Sequence, residues 1–370
     1  MPKGLYVHIP FCARKCRYCD FVSFAGAEEY ADAYLDALRK EAAQYAGEEF
    51  DTVFIGGGTP SVLRANQLSR LFDIINSTFK ITKNAEFSVE INPGTLDADK
   101  IRAIVNGGVN RVSVGVQSFN DNELAAIGRI HTAQEAIRAV NEIHRAGIKN
   151  INVDLMTSIP EQSAESLMNT LEIAVSLPIT HISAYSLILE EETPIYDDYK
   201  NGLFAPPSDD EDRDNFDMLS DFLEREGFDR YEISNFAKSG YECRHNIKYW
   251  ECREYVGLGL AAHSYIDKQR FYNTSDLNKY LRGETRSEDI LTLDSADLFS
   301  EFMMMGLRMT RGVSEAEFLN RFGEPIEKIY AQPLEKFIKS KLIEHKNGRY
   351  FLTEHGLDVS NSVICEFILD

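Results

Sequence analysis

The chain holds one tryptophan in 370 residues, and none of its apolar runs approaches the roughly 20 residues a membrane helix needs. No integral membrane segment is therefore expected. Basic charge is also scarce. Against 59 Asp and Glu stand 39 Lys and Arg, a formal net charge of −20. Such a surface repels phosphate backbones, so no nucleic-acid partner is expected. Glycine and proline are not in excess, and there is neither an internal repeat nor a low-complexity tract, which excludes fibrous and disordered classes. The opening MPKGLYVHIP passes straight into a strand-like run and lacks a signal-peptide pattern, so a cytoplasmic protein is expected. Cysteine is limited to six, three of them within eight residues, which is no secreted disulfide framework. In a reducing compartment such a cluster more often binds metal.

What the chain does have is alternation. Strand-like runs stand at 5–10, 51–56, 86–91, 111–116, 151–156 and 181–187. Between them, 29–45, 67–79, 133–147 and 164–177 carry apolar residues at helical spacing. Repeated β-then-α with Val/Ile-rich strands argues an α/β fold on a parallel sheet. Six units suit a doubly wound sheet or an incomplete (β/α)6 TIM-like barrel. Polar residues decide between them. Tyr6, Glu90, Gln117 and Asp154 lie in or just after strands, mostly toward their C-terminal ends, which in a barrel converge on the active face. One such residue alone reads as a satisfied core polar group; four in register argue a shared site.

Just after the first strand comes HIPFCARKCRYCDF, with Cys12, Cys16 and Cys19 in the spacing C-x3-C-x2-C. Three thiolates can hold three irons of a [4Fe–4S] cluster and leave the fourth iron open. Structural zinc is the main alternative, but it takes four ligands. His8 could supply a fourth, although inside an apolar strand it reads as a core histidine. Cys243, Cys252 and Cys365 lie too far along for sequence to place. Arg14, Lys15 and Arg17 would offset thiolate charge, or simply be solvated. Next, FIGGGTPSVL at 54–63 sets three glycines directly after a strand, where backbone can approach a ligand closely. It lacks the lysine and spacing of a P-loop and the spacing of a dinucleotide fingerprint.

C-x3-C-x2-C followed by GGGTP resembles the radical S-adenosylmethionine (SAM) superfamily. LYVHIPFC, IGGGTPS, VEINP, GVQSF and NVDLM resemble its oxygen-independent coproporphyrinogen III oxidase-like branch, over nearly the whole chain. The resemblance implies that Cys12, Cys16 and Cys19 bind the cluster, and that SAM fills the fourth place through its amino and carboxylate groups. Tyr6, Gly57 and Glu90 would contact this SAM. Tyr18, Gly58, Thr59, Gln117, Arg129 and Asp154 match contacts of a second SAM in the oxidase. A reductant would feed the cluster an electron, and SAM cleavage would give a 5′-deoxyadenosyl radical.

Two departures separate the chain from the oxidase. Phe21 stands where the decarboxylating enzyme carries a fourth cysteine, and the enzyme's N-terminal extension is not expected here. With CRHNIKYW at 243–250, these features resemble the haem chaperone subgroup of the branch, whose H-N-x-x-Y-W stands as His245, Asn246, Tyr249 and Trp250. The resemblance implies haem as cofactor and a haem-accepting apoprotein as partner. Physically, His is a normal axial ligand, and Tyr and Trp offer flat apolar faces. The plainer reading is a buried turn with a hydrogen-bonded His. In YVGLGLAAHSY (255–265) the G-x-G-x-x-A is a weak dinucleotide signal, and His263 reads as packing.

Residues 206–228 read as a capped helix after a proline hinge, its acidic first turn suiting the helix dipole. Residues 342–356 read as a β-wing in a smaller C-terminal α+β winged-helix-like domain. The expected domains are therefore 1–205, a partial barrel; 206–290, a connecting region with the HNxxYW motif; and 291–370. Residues 296–370 carry nine basic and twelve acidic residues, unlike DNA-binding modules. Three functions compete: a SAM-dependent haem chaperone, a coproporphyrinogen-oxidising radical enzyme, and a zinc-containing winged-helix regulator.

Overall fold

A computed structural model describes residues 2–369, with 287 and 288 followed along the backbone only. The six expected strands form, in sequence order, the middle of one sheet. They are β1 (Lys3–Ile9), β2 (Glu49–Gly57), β3 (Lys80–Ile91), β4 (Arg111–Gln117), β5 (Asn150–Thr157) and β6 (His181–Ser186). Every pair among them is parallel. Parallel strands covered on both faces carry continuous apolar runs, which is why they were legible. In β4 six of seven residues are buried. The intervening helices pack outside; that at Ala133–Arg145 is set by a capping box between Thr132 and Glu135.

Residues beyond 206 extend this sheet at both ends. After the helix Asp209–Arg225, capped by Ser208, come β7 (Asp229–Arg230) and β8 (Asn235–Ala237), which pair antiparallel beyond β6. At the other end β9 (Tyr255–Leu258) lies parallel to β1, with Gly4 opposite Tyr255. The antiparallel strands β10 (His263–Ile266), β11 (Gln269–Asn273) and β12 (Arg286–Thr292) follow. Among the described residues the two edges of this twelve-stranded sheet do not pair, so the barrel stays open.

The C-terminal unit has its own apolar core, including Phe302, Leu307, Phe318 and Phe367. Helices Ser295–Gly306, Glu315–Phe322 and Ile326–Lys339 surround β13 (Val313–Ser314), β14 (Ile343–Lys346) and β15 (Arg349–Leu352). The expected wing is the β14–β15 hairpin. Its Asn347-Gly348 turn has both φ values positive, 55° and 69°, as a tight hairpin requires. Arg253–Glu317 and Arg311–Glu251 ion pairs tie the unit to the sheet domain. Among the described residues no helix is long and apolar enough to cross a membrane.

Candidate functional site

The cysteine loop lies over the C-terminal ends of the parallel strands. A short parallel pair, Phe11–Cys12 with Phe24–Ala25, closes its base. Arg17 anchors it: its backbone N–H donates to the Ile127 carbonyl at 3.0 Å, and its guanidinium pairs with Asp198. Arg17 is thus an anchor rather than a charge aimed at thiolates. Arg14 and Lys15 face the cavity. Cys12, Cys16 and Cys19 line that cavity together, a space of about 600 Å³. Among the described residues no three His, Cys, Asp or Glu side chains converge closely enough to hold a single metal ion. The Cys12 and Cys16 thiols lie within electrostatic reach of Cys19. Burial raises the Cys19 thiol, and Cys16 and Cys12 add to that rise.

The thiols have polar partners. Thr59 Oγ1 donates to Cys12 Sγ at 3.5 Å, and Arg129 Nη1 donates to Cys16 Sγ at 3.3 Å. Arg129 also donates to the Gly115 carbonyl. Its Nε, like Asn235 Oδ1 on the same cavity wall, is buried without a partner among the described residues. Such orphaned groups cost about 1–3 kcal/mol each unless a ligand satisfies them.

The glycines serve the protein before any ligand. A Cβ on Gly58 would stand 2.8 Å from the Phe11 carbonyl oxygen and 3.1 Å from Cys12 Sγ. Gly57 has φ 107°, and a Cβ there would meet the His8 ring at 2.5 Å. The run thus packs backbone against backbone under the cysteine loop.

Glu90 is half-buried beside it and accepts from the Gly57 N–H at 3.1 Å. Burial first, then Asp154, pushes its carboxyl up to about 8. Burial likewise raises Asp154, whose Oδ1 accepts from Asn152 Nδ2 at 2.7 Å. Tyr6 lies close by, its hydroxyl 3.2 Å from His8 Nδ1. Gln117 adopts φ 71°, a left-handed conformation costly for its type, and accepts from the Tyr185 hydroxyl at 3.0 Å. Tyr18 is raised by burial despite the charge of Arg129. The structure therefore brings Tyr18, Gly57, Gly58, Thr59, Glu90, Gln117, Arg129 and Asp154 to one cavity with the cysteines. His8 is a satisfied core histidine, its Nε2 3.0 Å from the Val22 carbonyl.

The HNxxYW motif forms the helix Arg244–Trp250, and His245, Asn246 and Tyr249 line a cavity of about 210 Å³ together with Tyr6, Glu90 and Asp154. Glu86 caps the helix start, accepting from the N–H groups of Arg244 at 3.0 Å and His245 at 2.9 Å. His245 points into the core, stacked on Phe54. Its Nδ1 lies 2.9 Å from Thr52 Oγ1, and its Nε2 lies 2.8 Å from the Tyr249 hydroxyl, one helical turn on. Burial, then Lys248, lowers its pKa to about 3. Both imidazole nitrogens are thus engaged by protein hydroxyls. Here the plainer alternative, a buried turn with a hydrogen-bonded histidine, describes the geometry.

Asn246 faces the cysteine cavity. Tyr249 and Trp250 line a second cavity of about 600 Å³, toward the C-terminal unit. Tyr255, His263, Tyr265 and Met305 complete its wall, and sequence reasoning singled out none of them as a binding residue. Trp250 Nε1 is buried there without a partner among the described residues. Gly57, Glu90 and the 64% exposed Phe21 border both cavities. Of the other cysteines, Cys243 is buried against Glu86, Cys252 borders the second cavity, and Cys365 is exposed in the C-terminal unit.

The family described as the Radical SAM superfamily matches residues 6–174, and the HemN C-terminal domain matches 293–359. The heme chaperone HemW of Lactococcus lactis subsp. lactis (strain IL1403) is 37% identical, covering 100% of this chain and 98% of its own. That of Bacillus subtilis (strain 168) is 34% identical, covering 99% of each. Among solved structures, coproporphyrinogen III oxidase (HemN) from Escherichia coli shares the fold, with a TM-score of 0.87 at 22% identity over 99% of this chain and 90% of that one. The chain belongs to the HemW family of radical SAM proteins.

Proposed function

We propose that this protein is a haem chaperone: it carries a [4Fe–4S] cluster and SAM on its open barrel, binds haem, and passes it to an acceptor apoprotein. The observation that carries this reading is the aromatic cavity adjoining the cysteine cavity, with Phe21 exposed at their shared border. Its volume lies within the roughly 300–1,000 Å³ of sites for cofactor-sized ligands. Its wall of Tyr249, Trp250, Tyr255 and Tyr265 suits a flat apolar ring system.

The residues present fit the cluster and SAM. Cys12, Cys16 and Cys19 would hold three irons, and Arg129 and Thr59 orient two of the thiols. Tyr6, Gly57 and Glu90 border the space beside them, and Glu90 as carboxylate accepts hydroxyl donors. Tyr18, Gly58, Gln117 and Asp154 line the same cavity, and Arg129 Nε, unpaired among the described residues, is a donor for an anionic group. When bound, the cluster supplies one-electron chemistry, its electron coming from a separate reductant. The chain's own residues bind, orient and exclude water.

A porphyrinogen-oxidising enzyme is not favoured, because Phe21 offers no thiol at the position where the oxidase resemblance carries one. The test combines three measurements on anaerobically reconstituted protein: iron and sulfide content, haem titration by Soret absorbance, and transfer to a haem-free globin as a generic acceptor. One haem per chain, transferable, with no decarboxylation of coproporphyrinogen III, is expected. Turnover at about 1 s⁻¹ or above, the ordinary enzyme range, overturns the reading.

A further inference from the structure

We infer that His263, rather than His245, supplies the protein's nitrogen ligand to haem iron in the aromatic cavity. This rests on the chaperone reading above and deepens it by naming the ligand.

The inference starts from what each imidazole already does. The chain has eight histidines. His131, His181 and His245 are buried with both ring nitrogens in hydrogen bonds, and so is His8. His144 holds Lys149, while His345 and His355 pair with Glu315 and Asp358. His263 is the remaining one. Among the described residues its ring nitrogens have no hydrogen-bond partner; the ring stacks on Tyr272 with centroids 5.3 Å apart. It also borders the aromatic cavity, which its seven counterparts do not, His8 excepted.

Position and protonation both suit a ligand. His263 opens β10, which is held tightly against β9. A Cβ on Gly257 would stand 2.0 Å from the His263 carbonyl oxygen, and the Gly257 N–H donates to Ser264 Oγ at 2.9 Å. Only glycine allows that approach, so the β9–β10 crossing fixes the backbone at 263. Partial desolvation at the cavity rim, then Arg270, lowers the imidazole pKa, which favours the neutral form with a lone pair free for a metal. The same wall carries the soft sulfur donors Cys252 and Met305, and the unpartnered indole N–H of Trp250. A donor set of imidazole, thiol and thioether among aromatic rings is the chemistry of haem sites.

The test is haem titration of the reconstituted full chain, read by Soret position and affinity, with the absorbance of a haem-free, cluster-loaded blank subtracted. His263→Ala removes an exposed side chain and should leave the fold intact by circular dichroism. It is expected to weaken haem by roughly 10–100-fold, the scale on which groups at metal sites act. The Soret band should move, iron and sulfide should stay unchanged, and added imidazole should restore the wild-type band. His245→Ala, studied below its melting point, should keep the wild-type Soret position. The inference is overturned if His263→Ala binds with wild-type affinity and spectrum, or if only His245→Ala moves the band. Wild type that takes up no haem overturns the chaperone reading itself, which a change confined to His263→Ala does not.

Discussion

Arg129 donates from Nη1 to the Cys16 thiol at 3.3 Å across 113 positions of sequence. Its Nη2 is tied to the Gly115 carbonyl, so the guanidinium is held in place rather than left to swing. A fixed positive charge beside a cluster thiolate favours the reduced, more negative cluster. At an effective dielectric of about 20, a unit charge in contact contributes up to roughly 4 kcal/mol. Arg129→Met should therefore shift the cluster midpoint to more negative potential by tens of millivolts or more, with all iron retained. Redox titration followed by electron paramagnetic resonance measures it; an unchanged midpoint would remove Arg129 from the cluster's surroundings.

Gly58 sits under the cysteine loop with no room for a side chain. Its added Cβ would meet the backbone oxygens of Phe11 and Ile9 at 2.8 and 2.9 Å. Backbone cannot step aside as a flexible side chain can, so Gly58→Ala should push Cys12 out of place. Expected is a folded protein whose iron content after reconstitution falls well below wild type, approaching the triple variant of Cys12, Cys16 and Cys19 to Ala. Full iron loading of Gly58→Ala would show that the loop tolerates the shift.

Glu90 links stability to pH. Its carboxyl is raised from 4.5 to about 8 in the folded protein. Between those values the folded chain binds more protons at this group than the unfolded chain does. Stability therefore falls as pH rises through that window. Glu90→Gln keeps an acceptor for the Gly57 N–H but cannot ionise. The melting temperature of the variant, relative to wild type without cluster or SAM, should climb from pH 5 to pH 8.5. Parallel profiles for the two proteins would contradict it. SAM binding should respond oppositely, since a carboxylate accepts ribose hydroxyls better than the neutral acid.

His245 bridges Thr52 and Tyr249 inside the core. His245→Ala leaves a cavity and two hydroxyls without their partner, a loss of roughly 2–4 kcal/mol. For a chain of 370 residues a fall in melting temperature of roughly 3–5 °C is expected. Differential scanning calorimetry decides; a drop below about 1 °C would mean that the imidazole is not the keystone that its two bonds make it.

Much of the fold was legible because its physics is local. β2 to β6 are buried on both faces, so their apolar runs stand out, and the site residues follow at their C-terminal ends. β9 was not legible. It is four residues long, and its partner β1 lies about 250 positions away. Its glycines looked like a faint dinucleotide signal; Gly257 is there because β10 passes against it, and Gly259, at φ 94°, because the His8 carbonyl and Tyr34 hydroxyl crowd it. Arg17 looked like a counter-charge for thiolates, but its partner Asp198 is 181 positions on.

The sequence by itself determined the spacing of Cys12, Cys16 and Cys19 and the βα rhythm that puts polar residues at one end of a parallel sheet. Both depend on neighbours a few positions apart. Only the tertiary structure decided which histidine has a nitrogen to give. His245 stands in the conspicuous motif, yet Thr52, 193 positions earlier, occupies its Nδ1. His263 stands in an inconspicuous strand, yet the crossing of β10 over Gly257 sets it at the cavity wall. A side chain's free lone pair depends on what packs against it. In a sheet whose neighbouring strands lie hundreds of residues apart, that is settled by long-range packing and not by local pattern.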